Sequence, residues 1–213
     1  MKNYYPVFMD LQGKKVLVVG GGRVAARKVL DLLSCQAKVT VVSPRLEPQL
    51  KRWAQGGEIT SFIEEYNADF LQGAALVIGA TSDTQVNRRI AADCKERNIH
   101  VNIVDVPALC TFFVPALLRQ GPLTIAVSTG GKSPAFARRI REELQDTYSR
   151  EHGEFVDYLG LLRSRILEEV ADSAKRRELF ITLAGKEFFA DFNALPPLEL
   201  QGKVEKLIAR YRD

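Results

Sequence analysis

Cysteine is scarce in this chain, and what is there is scattered. Three cysteines in 213 residues, Cys35, Cys94 and Cys110, form no C-x-x-C pair. That excludes a zinc framework and a disulfide scaffold and points to a reducing, cytoplasmic setting. Histidine is scarcer still: His100 and His152 lie far apart and read as surface residues, so no metal site is expected. No hydrophobic run is long enough to cross a bilayer. The longest charge-free stretch, VPALCTFFVPALL, is short and holds two prolines. The N-terminal MKNYYPVFMDLQGKK has no apolar h-region, which argues against a signal peptide. Aromatic residues make up only 8% of the chain, and the basic clusters NRRI, FARRIREEL and AKRRELF are mixed with acids. Nucleic acid is therefore not an expected partner. No tyrosine is followed four residues later by lysine, which removes a short-chain dehydrogenase.

What the chain does have is order of another kind. Residues 14–105 alternate two patterns. KVLVVG, KVTVVS, ITSFIEE, ALVIGAT and HVNIVD are short and rich in Val, Ile and Thr, mostly as continuous apolar runs. Such runs suit strands covered on both faces. The segments between them carry apolar residues at helical spacing, such as Val24, Val29, Leu32 and Leu33. The expectation is an α/β fold with a doubly wound, Rossmann-type parallel sheet. A sixth strand, LTIAVS, follows RQGP, and SPAFARRIREELQDTYS reads as a helix capped by Ser133 with Pro134 at its first position. From about residue 147 the pattern is helical throughout.

Gly20-Gly21-Gly22-Arg23-Val24-Ala25 is G-x-G-x-x-A placed directly after a strand and opening a helix. That is the context in which the motif cradles a dinucleotide. Gly20 permits the turn, Gly22 lets backbone approach a pyrophosphate, and Ala25 permits close helix–sheet packing. The acid that often ends the second strand is missing; Ser43, Pro44 and Arg45 stand there. A serine hydroxyl can bond a ribose, and an arginine tolerates a 2′-phosphate, so this stretch does not separate NAD from NADP. Thr81 and Ser82 end the fourth strand on the ligand-binding edge, where Ser82 or Asp83 equally fits a plain helix cap.

Asp105 ends the fifth strand, where a carboxylate faces the ligand crevice. It is a candidate general base, taking a proton while the coenzyme takes a hydride, with partial burial tuning it for that role. Asn102 is either a substrate or cofactor contact or a polar group satisfied inside the sheet. The loop Ser128-Thr129-Gly130-Gly131-Lys132-Ser133 ends like a P-loop, but Ala126 stands at the first glycine position and Pro134 follows. Nucleotide hydrolysis is therefore not expected. The loop instead has the build of an anion site for a substrate carboxylate.

YYPVFMDLQGKKVLVVGGGRVAARKVLDLL, VNIVDVP, FFVPALL and IAVSTGGKSPAFARRIREEL occur in that order. Together they resemble the precorrin-2 dehydrogenase / sirohydrochlorin ferrochelatase family, which includes the N-terminal module of bacterial sirohaem synthases. The resemblance implies NAD as cofactor and precorrin-2 as substrate, oxidised to sirohydrochlorin in sirohaem biosynthesis. Some members also insert Fe²⁺, and the sequence leaves that second activity open. It further implies a homodimer in three parts: residues 1–113 the NAD-binding Rossmann domain, 114–146 the dimerisation segment, 147–213 the helical C-terminal domain. Asp105 matches the family's essential aspartate. Arg23 and Val24 match its cofactor loop, and Pro44 and Arg45 match positions near the adenosine. Thr129 stands where some members have serine. The competing reading is a non-catalytic NAD-sensing module, which needs the glycine turn but neither Asp105 nor the STGGKSP loop.

Overall fold

The computed structural model describes residues 4–212, and the chain divides between Val114 and Pro115. The first unit is a parallel sheet wound by helices. Its strands are β1 (Lys15–Val19), β2 (Lys38–Val42), β3 (Thr60–Phe62), β4 (Leu76–Gly79) and β5 (His100–Ile103), in the order β3-β2-β1-β4-β5. Helices α1 (Arg23–Ser34), α2 (Pro48–Gln55) and α3 (Thr84–Glu96) are the crossovers. All four pairings are parallel, with β1 registered on β2 from Lys15–Lys38 to Val19–Val42.

The alternation of side chains explains why these strands look uniformly apolar. Val16 and Val18 enter one core with Val29 and Leu32 of α1 and Leu50 of α2. Leu17 and Val19 enter the other with Ile90, Ala91 and Cys94 of α3. Successive residues point to opposite faces, so a strand buried on both sides has no polar face to show. The direction of winding reverses at β1, whose neighbours are β2 and β4. Crevices in open α/β sheets form outside the carboxyl ends of the strands at such a point.

The second unit opens with a hairpin of β6 (Ala116–Gln120) and β7 (Leu123–Val127), paired antiparallel with Gln120 opposite Leu123. LTIAVS is thus a strand of a separate two-stranded sheet, and its partner hides in PALLRQ, a stretch the sequence pattern left unassigned. Gly121 has φ +55° and Pro122 cannot leave negative φ, the combination a type II′ hairpin turn requires. Helices α4 (Pro134–Thr147), α5 (Arg150–Glu169), α6 (Ser173–Leu183), α7 (Lys186–Ala194) and α8 (Pro197–Ala209) follow. Ser133 caps α4 as its sequence predicts, its Oγ accepting from the Phe136 amide. Ile166, Leu179, Leu183 and Ile208 make the centre of the helical core, each at most 1% exposed.

Candidate functional site

A cleft of about 970 Å³ opens at the carboxyl ends of all five parallel strands. Residues 19–24 after β1 form its floor, with 42–47 after β2, Glu65 and Tyr66 after β3, 80–83 after β4, and Val104 and Asp105 after β5 around it. Gly20–Val24, Ser43–Arg45, Thr81, Ser82 and Asp105, all singled out by sequence, line this one cleft.

The three glycines of the turn have different reasons to be glycine. Gly20 sits at φ +125°, and a Cβ there would lie 2.3 Å from the Ala80 carbonyl oxygen. Gly21 would drive its Cβ to 1.8 Å from the Arg45 carbonyl oxygen. Its own carbonyl accepts from the Glu47 amide at 2.8 Å, which laces the turn to the loop after β2. Gly22 has nothing within 4 Å of where a Cβ would stand, so its open side faces the cleft. It is also the N-cap of α1 and offers no side-chain cap. The first intrahelical bond runs from the Ala26 amide to the Gly22 carbonyl, so the amides ahead of it have no partner within the helix. Unpartnered amides at the positive end of a helix, beside a glycine with room above it, fit a pyrophosphate.

The loop after β2 is held internally. Ser43 Oγ donates to the Arg45 carbonyl at 2.9 Å and accepts from the Arg45 amide at 3.5 Å, which leaves the hydroxyl one lone pair for a ribose. Arg45 itself is exposed at the cleft rim. On the opposite side, Thr81 Oγ1 accepts from the Asp83 amide at 2.8 Å. Asp83, not Ser82, is the cap of α3, accepting from the Gln85 and Val86 amides.

Asp105 lies in the cleft wall with φ +61°, a left-handed conformation uncommon outside glycine. Its side chain is exposed, so the partial burial expected from the sequence is absent; the tight turn before Pro107 turns the residue outward. Lys28, on α1, feels it electrostatically. Burial pushes the Lys28 ammonium below its ordinary pKa, with Asp31 and then Asp105 acting in the opposite sense. Sequence reasoning passed over Lys28 because a lysine in a helix reads as a solvated charge.

Asn102 is not in the cleft wall. It is 8% exposed, and its amide donates to the Phe112 carbonyl at 3.0 Å, the internally satisfied alternative left open above. Tyr66 is an addition. Its ring lines the cleft while its hydroxyl donates to Asp93 at 2.9 Å beneath Arg89. Burial first, then the Asp93 carboxylate, pushes the Tyr66 phenol well above its usual range.

The Ser128–Ser133 loop belongs to the second unit. Gly130 and Gly131 take φ +62° and +80°. The Ser128 hydroxyl accepts from the Gly130 amide at 3.2 Å and that of Thr129 from the Ser133 amide at 3.0 Å. The loop is thus pre-shaped, with Lys132 exposed on it. Arg138 and Arg139 pair with Glu142 and Glu143 one turn on, the solvated-face arrangement. His100 is exposed, whereas His152 is half-buried between Tyr148 and Phe189, a packing residue and not the surface one expected. Among the described residues, no three His, Cys, Asp or Glu side chains converge as a metal site, and no helix is long and apolar enough to cross a membrane.

Comparison with known proteins meets this geometry. The family described as "Putative NAD(P)-binding" matches residues 7–116, more than half of the chain, and "Sirohaem biosynthesis protein central" matches 120–147. Siroheme synthase 1 of Aeromonas hydrophila is 37% identical over 88% of this chain and 40% of its own length. Siroheme synthase of Methylobacillus flagellatus is 40% identical over 81% of this chain and 37% of its own. The chain thus spans about two fifths of the length of these relatives. The solved structure of SirC, a precorrin-2 dehydrogenase, superposes with a TM-score of 0.79 at 26% identity, covering 98% of this chain and 100% of that one. The chain belongs to the NAD(P)-binding family that sirohaem synthases and precorrin-2 dehydrogenase share, the family its motifs resemble.

Proposed function

We propose that this chain oxidises precorrin-2 to sirohydrochlorin with NAD⁺, Asp105 acting as general base. One observation carries the reading: the carboxylate after β5 and the glycine turn after β1 line the same cleft. When bound, NAD⁺ supplies the two-electron sink by accepting a hydride. The helix α1 amides and Gly22 would hold the pyrophosphate, with Ser43, Pro44 and Arg45 on the ribose side. Dehydrogenation releases one hydride and one proton from the macrocycle, and the Asp105 carboxylate receives the proton and returns it to solvent. Its exposure suits that return. Asp105, unlike the glycine turn, has no work to do in a protein that only senses NAD, which disfavours the sensor reading.

The finer assignments are part of the same proposal. The Ser128–Ser133 loop and Lys132 bind substrate carboxylates, residues 114–146 form the interface of a homodimer, and the protein works in the cytoplasm. Fe²⁺ is a second substrate if the chain also makes sirohaem. Mixing the pure protein with NAD⁺ and enzymatically made precorrin-2 should generate NADH absorbance. Asp105→Asn should reduce turnover by about two to four orders of magnitude while leaving NAD⁺ affinity within twofold or so. No NADH from the wild type would reject the dehydrogenase; full turnover by the variant would reject Asp105 as base. Adding Fe²⁺ or Co²⁺ to preformed sirohydrochlorin tests metal insertion separately, and sedimentation tests the dimer.

A further inference from the structure

Asn87 stands in the first turn of α3, 4% exposed, with one side-chain atom unmatched. Its Nδ2 donates to the Thr81 carbonyl at 3.0 Å. Its Oδ1 has no hydrogen-bond partner among the described residues. A Cβ at Gly79 would lie 3.4 Å from Oδ1 and would also meet the Cδ1 atoms of Ile90 and Ile103, which places apolar side chains beside this end of the amide. Turning the amide over would set its oxygen against the Thr81 carbonyl and strand the NH₂ in the same nook. An unsatisfied buried acceptor costs about 1–3 kcal/mol, while a neutral hydrogen bond returns about 1 kcal/mol. Leucine, of similar shape, would remove the unmatched oxygen but would leave the Thr81 carbonyl without this donor.

The residue therefore serves what it holds. Ala80 and Thr81 cross directly over the glycine turn, as the contact between a Gly20 Cβ position and the Ala80 carbonyl and Thr81 amide records. The same residues line the cleft. Thr81 is fixed from two sides, by Asn87 at its carbonyl and by the Asp83 amide at its hydroxyl. We propose that Asn87 is a positioning residue for the dinucleotide, setting the height of Thr81 and Ser82 above the glycine turn. It touches no ligand and acts through the Thr81 backbone. The inference rests on the reading of this cleft as the NAD⁺ site.

The test is Asn87→Leu in the whole chain. The melting temperature without coenzyme should change little, because the unmatched Oδ1 goes as the bond to Thr81 is lost. Amide exchange at Asp83 should quicken about tenfold while the later turns of α3 keep their protection. The Kd for NAD⁺, by calorimetry, should rise about tenfold. A fall in melting temperature with unchanged Kd would mark an ordinary structural residue and overturn the proposal, as would unchanged exchange at Asp83. Asn87→Asp supplies the rescue. Its protonated carboxyl can again donate to Thr81, so NAD⁺ affinity should recover as pH falls; affinity indifferent to pH in that variant would count against the clamp. Exchange needs no coenzyme, so it judges the clamp even if the wild type fails to bind NAD⁺, which would instead refute the functional reading.

Discussion

The sheet unit and the helical unit solve the same packing problem with different materials. In the first, side chains fill two cores but the contacts that shape the cleft are made by backbone: carbonyls of Ala80 and Arg45 press on glycines, and parallel ladders fix the strand ends. In the second, side chains do most of it. Phe155 packs with Phe188, Phe189 and Phe192, and Arg165 bridges Glu169 and Glu205 at 2.5 and 2.6 Å. A site built from backbone leaves its side-chain positions free for chemistry. Glycine at the crossing points is the condition for it.

The largest expected effect attacks that contrast at its root. Gly21→Ala must move the Arg45 backbone from 1.8 Å, and should destabilise the chain by about 3 kcal/mol or more and abolish NAD⁺ binding. Gly153 is a comparable crossing in the helical unit, with a Cβ position 2.2 Å from the Gln120 carbonyl oxygen. Gly153→Ala should destabilise similarly in chemical denaturation. If Gly21→Ala melts like the wild type, the backbone-built account of the cleft is wrong. Next comes Ile166→Ala, which empties the centre of the helical core, where the residue is 0% exposed. It should cost about 2–5 kcal/mol, measured the same way.

Smaller effects separate the units by pH. Tyr66, in the sheet unit, has a folded pKa raised above its unfolded value of 10.0, so its contribution is complete below about pH 10 and fades as pH rises beyond it. Tyr66→Phe should lose about 1.5 kcal/mol at neutral pH and flatten the alkaline decline in melting temperature. The helical unit carries the opposite sign. Arg165 holds Glu205 and, with Arg212, Glu169 below the ordinary glutamate value of 4.5, and two backbone amides hold Asp172 below the ordinary aspartate value of 3.8. Their contribution is present above about pH 4.5 and is lost as pH falls through the depressed values. These groups are at the surface, so Glu205→Gln should blunt acid unfolding only slightly and lose even that in high salt.

The parallel sheet was legible because its strands announce themselves twice, by β-branched runs and by the helical spacing between them. The glycine turn and Asp105 were legible because position along a strand tells which edge a residue occupies. The hairpin was not. Its first strand follows Pro115, its turn contains Pro122, and a short half-exposed strand has neither the alternation nor the continuity that marks a buried one. Gly21 was seen as part of a motif, but its reason, the Arg45 carbonyl, comes from residues more than twenty positions away. Asn87 and Tyr66 escaped notice because neither belongs to a motif: one reaches back to Thr81 ahead of its own helix, and the other reaches Asp93 within α3. Asn102 shows the converse, since a polar residue at a strand end looks the same whether it faces a ligand or its own fold.

Asp105 has a last implication. At φ +61°, glycine, which has no Cβ, and asparagine would both sit at least as comfortably as aspartate. A survey scoring variants for thermal resistance alone would therefore favour replacing the acid. A β-branched replacement would distort the main chain and mimic a chemical defect. With Asp105 as the proposed base, selection for ruggedness and selection for turnover would pull this one position in opposite directions.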